Sequence, residues 1–177
     1  DIYTYKDAAQ STPVDGTGGS PTVITIGRDT STPLTGIGSL LITKQAANGQ
    51  GEGVGTNLTI DPGVTSSPCQ LSFVYRTTTP YTSQAVVVFL YDITNNSFIP
   101  LSDPYLYNTG GSAAEYRATF IPNRTSTAYR ILWHVAGTDT IAYTIAVDNV
   151  QVGNKSVAIG AAIGNWIEWT PNTITNL

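Results

Sequence analysis

Short segments in which Val, Ile, Thr and Tyr alternate with polar residues recur along the chain, each ended by a cluster of Gly, Pro, Asn or Asp. That pattern limits the fold more than any other feature of the sequence. A period of two sends alternate side chains to opposite faces of a pleated strand, and β-branched and aromatic residues suit that surface. The pattern predicts strands at Thr22 to Ile26, Ser39 to Thr43, Gly53 to Ile60, Gln70 to Arg76, Ala85 to Asp92, Glu115 to Phe120, Ala128 to Val135 and Tyr143 to Val152. Between them stand turn-forming runs such as Asp15-Gly16-Thr17-Gly18-Gly19, Asn48-Gly49-Gln50-Gly51, Asp61-Pro62-Gly63, Asn95-Asn96, Asn108-Thr109-Gly110-Gly111 and Gly137-Thr138-Asp139. Residues that favour helix never gather at helical spacing, and Glu is confined to Glu52, Glu115 and Glu168. About eight short strands with almost no helix predict an all-β sandwich or barrel.

Two strands carry more detail. In Tyr129-Arg130-Ile131-Leu132-Trp133-His134-Val135, alternation puts Tyr, Ile, Trp and Val on a buried face and Arg, Leu and His on a mixed one. Trp133 therefore belongs to the core. Ala85-Val86-Val87-Val88-Phe89-Leu90-Tyr91 is apolar on both faces, which predicts a central strand whose outer side is covered by a loop or another subunit.

Several function classes are excluded at this level. The net charge is -4 and the 8 Lys and Arg are scattered, so no basic footprint for nucleic acid or an anionic bilayer exists. The longest apolar runs, Ala85 to Leu90 and Val157 to Ile163, fall far short of the roughly 20 residues that span a bilayer. Cys69 alone can form neither an intramolecular disulfide nor a cysteine metal cage. The start at Asp1, without Met or a secretory signal, is read as a processed product or a piece of a longer polypeptide. A length of 177 residues suits one domain with a short flanking segment. Residues 1–155 are expected to form the sandwich, and 156–177 an exit linker and the start of a following module or assembly segment. In that tail Trp166 and Trp169 either contact a partner, sister chains above all, or fold back on the same sandwich.

The order of pieces resembles a jelly-roll module of bacteriophage tail-fibre and virion-appendage proteins, similar to the carbohydrate-binding modules attached to glycoside hydrolases. The resemblance rests on Pro13-Val14-Asp15-Gly16-Thr17-Gly18-Gly19-Ser20-Pro21, Pro33-Leu34-Thr35-Gly36-Ile37-Gly38-Ser39, Gly51-Glu52-Gly53-Val54, Leu90-Tyr91-Asp92-Ile93-Thr94-Asn95, Tyr129-Arg130 with His134, and Val147-Asp148-Asn149-Val150-Gln151-Val152-Gly153. The tail Trp166-Ile167-Glu168-Trp169-Thr170-Pro171 is similar to the entry to a next module in such fibres. The resemblance implies an antiparallel jelly-roll β-sandwich on the virion surface, with host-surface polysaccharide, other virion proteins and sister chains, trimeric in such fibres, as partners. It also implies a structural calcium in similar modules, with Asp148 as a ligand; Asp1 and Asp7 of the opening segment could join it if the termini pair. The other reading gives Asp148 backbone amides as partners and the chain no cofactor.

Catalysis has little to work with. His134 is the single histidine, no Gly-x-Ser-x-Gly elbow or metal-ligand spacing occurs, and a glycosidase would need a carboxylate pair drawn from Glu52, Glu115 and the Asp residues. The expectation is a non-catalytic module. Sugar binding needs exposed rings for stacking and polar groups for hydroxyls, and Tyr81, Tyr105 and Tyr107 in or beside polar loops are the candidates. Arg130 and His134, four apart on one face of a strand with Leu132 between them, form either a sugar-binding polar patch or a pair satisfying local groups. Four Asn-x-Ser/Thr sequons, beginning at Asn57, Asn95, Asn123 and Asn154, are given no function. The expected work is attachment to host-surface glycan, with a structural spacer or oligomerisation unit, packing through Val86, Val88, Trp166 and Trp169, as the alternative.

Overall fold

The computed structural model describes residues 1–60, 68–154 and 167–169. They form β1 (Ile2–Lys6), β2 (Ile24–Asp29), β3 (Ser39–Lys44), β4 (Glu52–Thr59), β5 (Cys69–Thr77), β6 (Val86–Asp92), β7 (Ser97–Ile99), β8 (Ala114–Phe120), β9 (Ala128–Val135), β10 (Tyr143–Asn154) and β11 (Ile167–Trp169), with no helix among the described residues. The eight strands read from alternation all occur, with ends displaced by a few residues at most. β1, β7 and β11 are additions.

One antiparallel sheet has the order β1-β4-β9-β6-β7 and the other β2-β3-β10-β5-β8, with β11 pairing β10 beyond the end of β3. Residues 167–169 thus run alongside the sandwich, whereas the rest of the expected linker lies outside the described residues. Trp166 also lies outside them, and of Trp169 only the backbone pairing with Val150 is described. The hairpin between β6 and β7 turns at Asn95-Asn96, with Asn96 at φ 51° as a left-handed turn position asks of Asn.

Residues pointing inward from the two sheets fill one core: Leu40, Ile42, Leu71, Phe73, Ile145 and Val147 from one, Val54, Val88, Leu90, Ile131 and Trp133 from the other. Trp133 meets the edge of Phe73 at 5.7 Å, and Phe73 stacks on Tyr116 at 4.4 Å. Such offset and edge contacts add to the area these rings remove from water. Val86 and Val88 belong to this core, so they cannot serve as the exposed docking positions of the assembly alternative. A bulge between Asp148 and Gln151, with Asn149 at φ 51°, lets Val150 and Val152 continue the inward row while Asp148 points outward.

β9 departs from the one-sided reading. Every residue from Tyr129 to Val135 is buried, the mixed face included. The cover is the chain's own residues 7–19, which pass over the outer side of the five-stranded sheet and determine what remains accessible there.

Candidate functional site

Register places a row of rings across the outer face of the five-stranded sheet. Tyr3 and Tyr5 of β1 stand opposite Gly55 and Gly53 of β4, which stand opposite Leu132 and His134 of β9, which stand opposite Phe89 and Val87 of β6. The two glycines make this possible. A Cβ at position 55 would come 2.7 Å from the Tyr3 ring, and one at 53 would come 2.6 Å from the Tyr5 hydroxyl and 2.5 Å from the Trp133 carbonyl. Tyr5 lies parallel to His134 at 6.0 Å, Phe89 presents its edge at 5.8 Å, and Phe98 follows at 5.5 Å from Phe89.

The Asp7 carboxylate organises the covering segment. Its Oδ2 accepts N–H bonds from Val14, Asp15 and Gly16 at 2.8, 3.2 and 3.0 Å, and Oδ1 accepts one from Gly18 at 3.1 Å. Gly16, at φ 74°, rests on Leu132 where a Cβ would collide. Arg130 donates from Nη1 to the Asp15 carbonyl at 2.6 Å and from Nε to Asn57 at 3.0 Å, with its guanidinium over the Tyr91 ring. His134 Nε2 lies 2.9 Å from the Gln10 carbonyl and Nδ1 2.8 Å from the Tyr5 hydroxyl. A carbonyl only accepts, so Nε2 carries the proton and Nδ1 accepts from Tyr5. Burial holds the His134 pKa below that of free histidine, which favours this neutral form. Arg130 and His134 are 8% and 0% exposed, so the expected sugar-binding patch is instead the underside of a clasp. β9 could not reveal this, because the cover comes from residues more than a hundred positions earlier.

The three tyrosine candidates divide. Tyr81 is buried; its hydroxyl donates to the Leu106 carbonyl at 3.1 Å and accepts the Val86 N–H at 3.0 Å, and burial raises its pKa. It is a structural pin and has no face to offer a ligand. The segment it pins runs beside β6, with the Val88 N–H on the Pro104 carbonyl at 2.7 Å and Tyr105 paired with Val87. That pairing sets Tyr105 on the outer face of the sheet. Tyr105 is 40% and Tyr107 43% exposed, on a loop whose Asn108 amide is clamped to the Thr79 and Tyr81 carbonyls at 2.9 and 2.5 Å. Two exposed rings on a fixed loop, with the polar groups of Asp103 and Ser83 bonded to the same loop, are a candidate stacking surface.

The expected calcium ligands do not fit a cation. All four Asp7 bonds come from N–H donors, and Asp148 accepts from Thr35 N–H at 2.9 Å, Ser39 Oγ at 3.0 Å and Asn149 N–H at 2.7 Å. Donors pointing at an oxygen occupy the positions a cation would use. Among the described residues no three His, Cys, Asp or Glu side chains gather to hold a metal. The carboxylates suggested for glycosidase chemistry are apart in structure and role. Glu52 is buried on β4, bonded to Thr22, Val23 and Ile24 N–H groups, while Glu115 is exposed on β8 in the other sheet and pairs with Arg117 at 2.6 Å.

The sequence matches no protein-family model and no curated protein. Solved structures do share its fold. A carbohydrate-binding module of the CBM4 type superimposes with a TM-score of 0.53 at 20% identity, over 75% of this chain and 91% of that one. The N-terminal cellulose-binding domain of Cellulomonas fimi β-1,4-glucanase C gives 0.50 at 13% identity, over 87% and 88%. The enzymatically active domain of bacteriophage CBA120 tailspike protein 4 gives 0.57 at 15% identity, over 86% of this chain but only 19% of that larger one. The fold is the jelly-roll β-sandwich of carbohydrate-binding modules.

Proposed function

We propose that the chain is a non-catalytic glycan-binding module of a bacteriophage virion appendage, displayed on the particle surface to attach it to host polysaccharide. The observation that carries the glycan reading is the exposed pair Tyr105 and Tyr107 on a loop pinned by Tyr81 and Asn108. Rings held in place lose little freedom on binding, and their faces suit pyranose C–H groups while polar groups of the same loop meet the sugar hydroxyls. Structures named as carbohydrate- and cellulose-binding share the fold, and the tailspike domain supports the phage setting. Glu52 is buried against backbone N–H groups in one sheet and Glu115 pairs with Arg117 in the other, so these two do not face each other as a hydrolytic pair. A shallow surface gives weak single-site affinity. Sister chains, in a homotrimer as in phage fibres, and many copies per virion would multiply it.

The test is a glycan array probed with the chain displayed multivalently, with calcium and with chelator. Specific binding that is lost in Tyr105→Ala and Tyr107→Ala and indifferent to chelator is expected. Binding unaffected by both substitutions would overturn the site.

One observation favours a second reading, a spacer or docking unit without glycan. Ile121 is 69% exposed beside Pro68, Pro100, Leu101 and Phe120, which line an apolar cleft of about 520 Å³ next to β8. Under that reading no glycan binds and Ile121→Glu abolishes self-association in sedimentation.

A further inference from the structure

The outer face of the six-stranded sheet carries a different kind of cavity. Register aligns Gly27 of β2, Leu41 of β3, Ala146 of β10 and Arg76 of β5 in one row across four strands. Three of the four are apolar and two are very small, which leaves a trough along which the arginine side chain can lie. The loop at Thr32 forms one wall and Thr77 to Pro80 with Gly111 the other, enclosing about 570 Å³. That volume is in the usual range for a small-ligand cavity, roughly 300 to 1,000 Å³. Among the described residues no aromatic one lines it.

The hydrogen-bond inventory of the trough is asymmetric. Arg76 donates from Nη2 to Asp29 Oδ2 at 3.2 Å, the Thr32 carbonyl at 2.8 Å and Thr32 Oγ1 at 2.9 Å, which fixes the guanidinium. Asp29 is filled, because Oδ1 takes Ser31 and Thr32 N–H at 3.0 Å each and Oδ2 takes the Thr32 hydroxyl at 2.9 Å besides Arg76. Those backbone and hydroxyl donors also hold its carboxyl below the usual range, so it stays charged and committed. Nε and Nη1 of Arg76 have no partner among the described residues, and the side chain is 26% exposed. Among the described side chains of this face, Asp148 is bonded to Thr35, Ser39 and Asn149, and Glu115 to Arg117. Among the described residues the trough therefore offers spare cationic donors and threonine hydroxyls, but no spare carboxylate and no stacking ring.

We propose that this trough is a second polysaccharide site, selective for sugars that carry an oxyanion, a carboxylate or a sulfate, with the fixed Arg76 guanidinium as its recognition group. A neutral pyranose would find no aromatic plate here, whereas an oxyanion is the strongest acceptor for guanidinium N–H groups. The proposal rests on the glycan-binding reading but names a surface independent of Tyr105 and Tyr107. The two sites would engage different parts of one polymer or different polymers.

The experiment measures affinity of the intact chain for polygalacturonate, for its methyl ester, which removes the charge from the same backbone, and for dextran sulfate against plain dextran. Tighter binding of the charged member of at least one pair is expected, by about tenfold to a hundredfold, the worth of one charge-assisted hydrogen bond. A preference only within the uronate pair assigns the carboxylate, and one only within the dextran pair the sulfate. Arg76→Gln should abolish the preference while Tyr105→Ala leaves it intact. Thr79→Glu places a negative charge at the exposed cleft wall without touching Arg76 and should weaken charged binding alike, which keeps the test decisive should Arg76→Gln fail to fold. Equal binding of charged and neutral members, or a preference that survives Thr79→Glu, overturns the proposal. Failure on these polymers together with Tyr105-dependent binding on the glycan array would remove this site and leave the first in place.

Discussion

Glu52→Gln tests how the edge of the sandwich is held. The Glu52 carboxylate is buried, and its Oε1 accepts from Thr22 N–H and Oγ1 at 3.0 Å each and faces Lys6 Nζ at 3.1 Å. Oε2 accepts Val23 and Ile24 N–H at 2.8 and 2.9 Å. An amide keeps one acceptor oxygen and turns its NH₂ toward backbone donors, orphaning one N–H in one orientation and two in the other. Each orphan costs about 1 to 3 kcal/mol, so the variant should lose about 2 to 4 kcal/mol. At about 2 to 4 °C per kcal/mol for a domain of this size, the midpoint should fall by roughly 5 to 15 °C in calorimetry. Burial alone would raise the Glu52 pKa, but the three backbone N–H groups and Lys6 outweigh it and hold it below the ordinary 4.5. A lowered folded-state pKa contributes stability that is present above the ordinary value and lost as pH falls through the folded one. The wild-type chain should therefore lose stability across that acid window and Glu52→Gln should lose less there. A variant within about 0.5 kcal/mol of wild type, with an unchanged acid slope, would mean that Glu52 does not hold this edge.

Other consequences are equally direct. Gly53→Val should destabilise by several kcal/mol or prevent folding, because the added carbons meet the Trp133 carbonyl and the Tyr5 ring; urea titration reads the loss. The His134 pKa is lowered from 6.5 by burial, so its contribution is present above that value and lost as pH falls through the folded pKa; NMR titration of the ring should show a midpoint below 6.5, and a midpoint at or above 6.5 would contradict the buried neutral ring. Tyr81→Phe removes the hydroxyl between Leu106 and Val86 and should cost about 1 to 3 kcal/mol in thermal unfolding, whereas Tyr105→Ala should change stability by no more than about 0.5 kcal/mol.

The sheets were legible in the sequence because strand formation is local. Alternation in segments such as Ala128 to Val135 and the Gly- and Asn-rich turns located eight strands, and Trp133 was assigned to the core from its neighbours alone. β7 has three residues, too few for a period of two to register. Tyr3-Thr4-Tyr5 at the start and Gly53-Val54-Gly55 later were complementary signals of rings lying across glycines, but they are meaningful only when β1 is known to pair β4. The candidate site was less legible. Arg130 and His134 do share a face as their spacing requires, yet residues 7–19 consume them, and Asp7 serves that fold-back instead of a cation. Loop position made Tyr81, Tyr105 and Tyr107 equivalent in sequence. Tertiary placement buried the first and left the other two exposed.

The most direct test of the central claim is equilibrium binding of the multivalent chain to its best glycan, compared with the Tyr105→Ala/Tyr107→Ala double variant of matched thermal stability. Binding should fall at least tenfold while the melting midpoint holds, since losing one stacked ring alone is worth about 1.4 kcal/mol or more. Undiminished binding by the double variant, or no glycan binding by the wild-type chain at high valency, would contradict the claim.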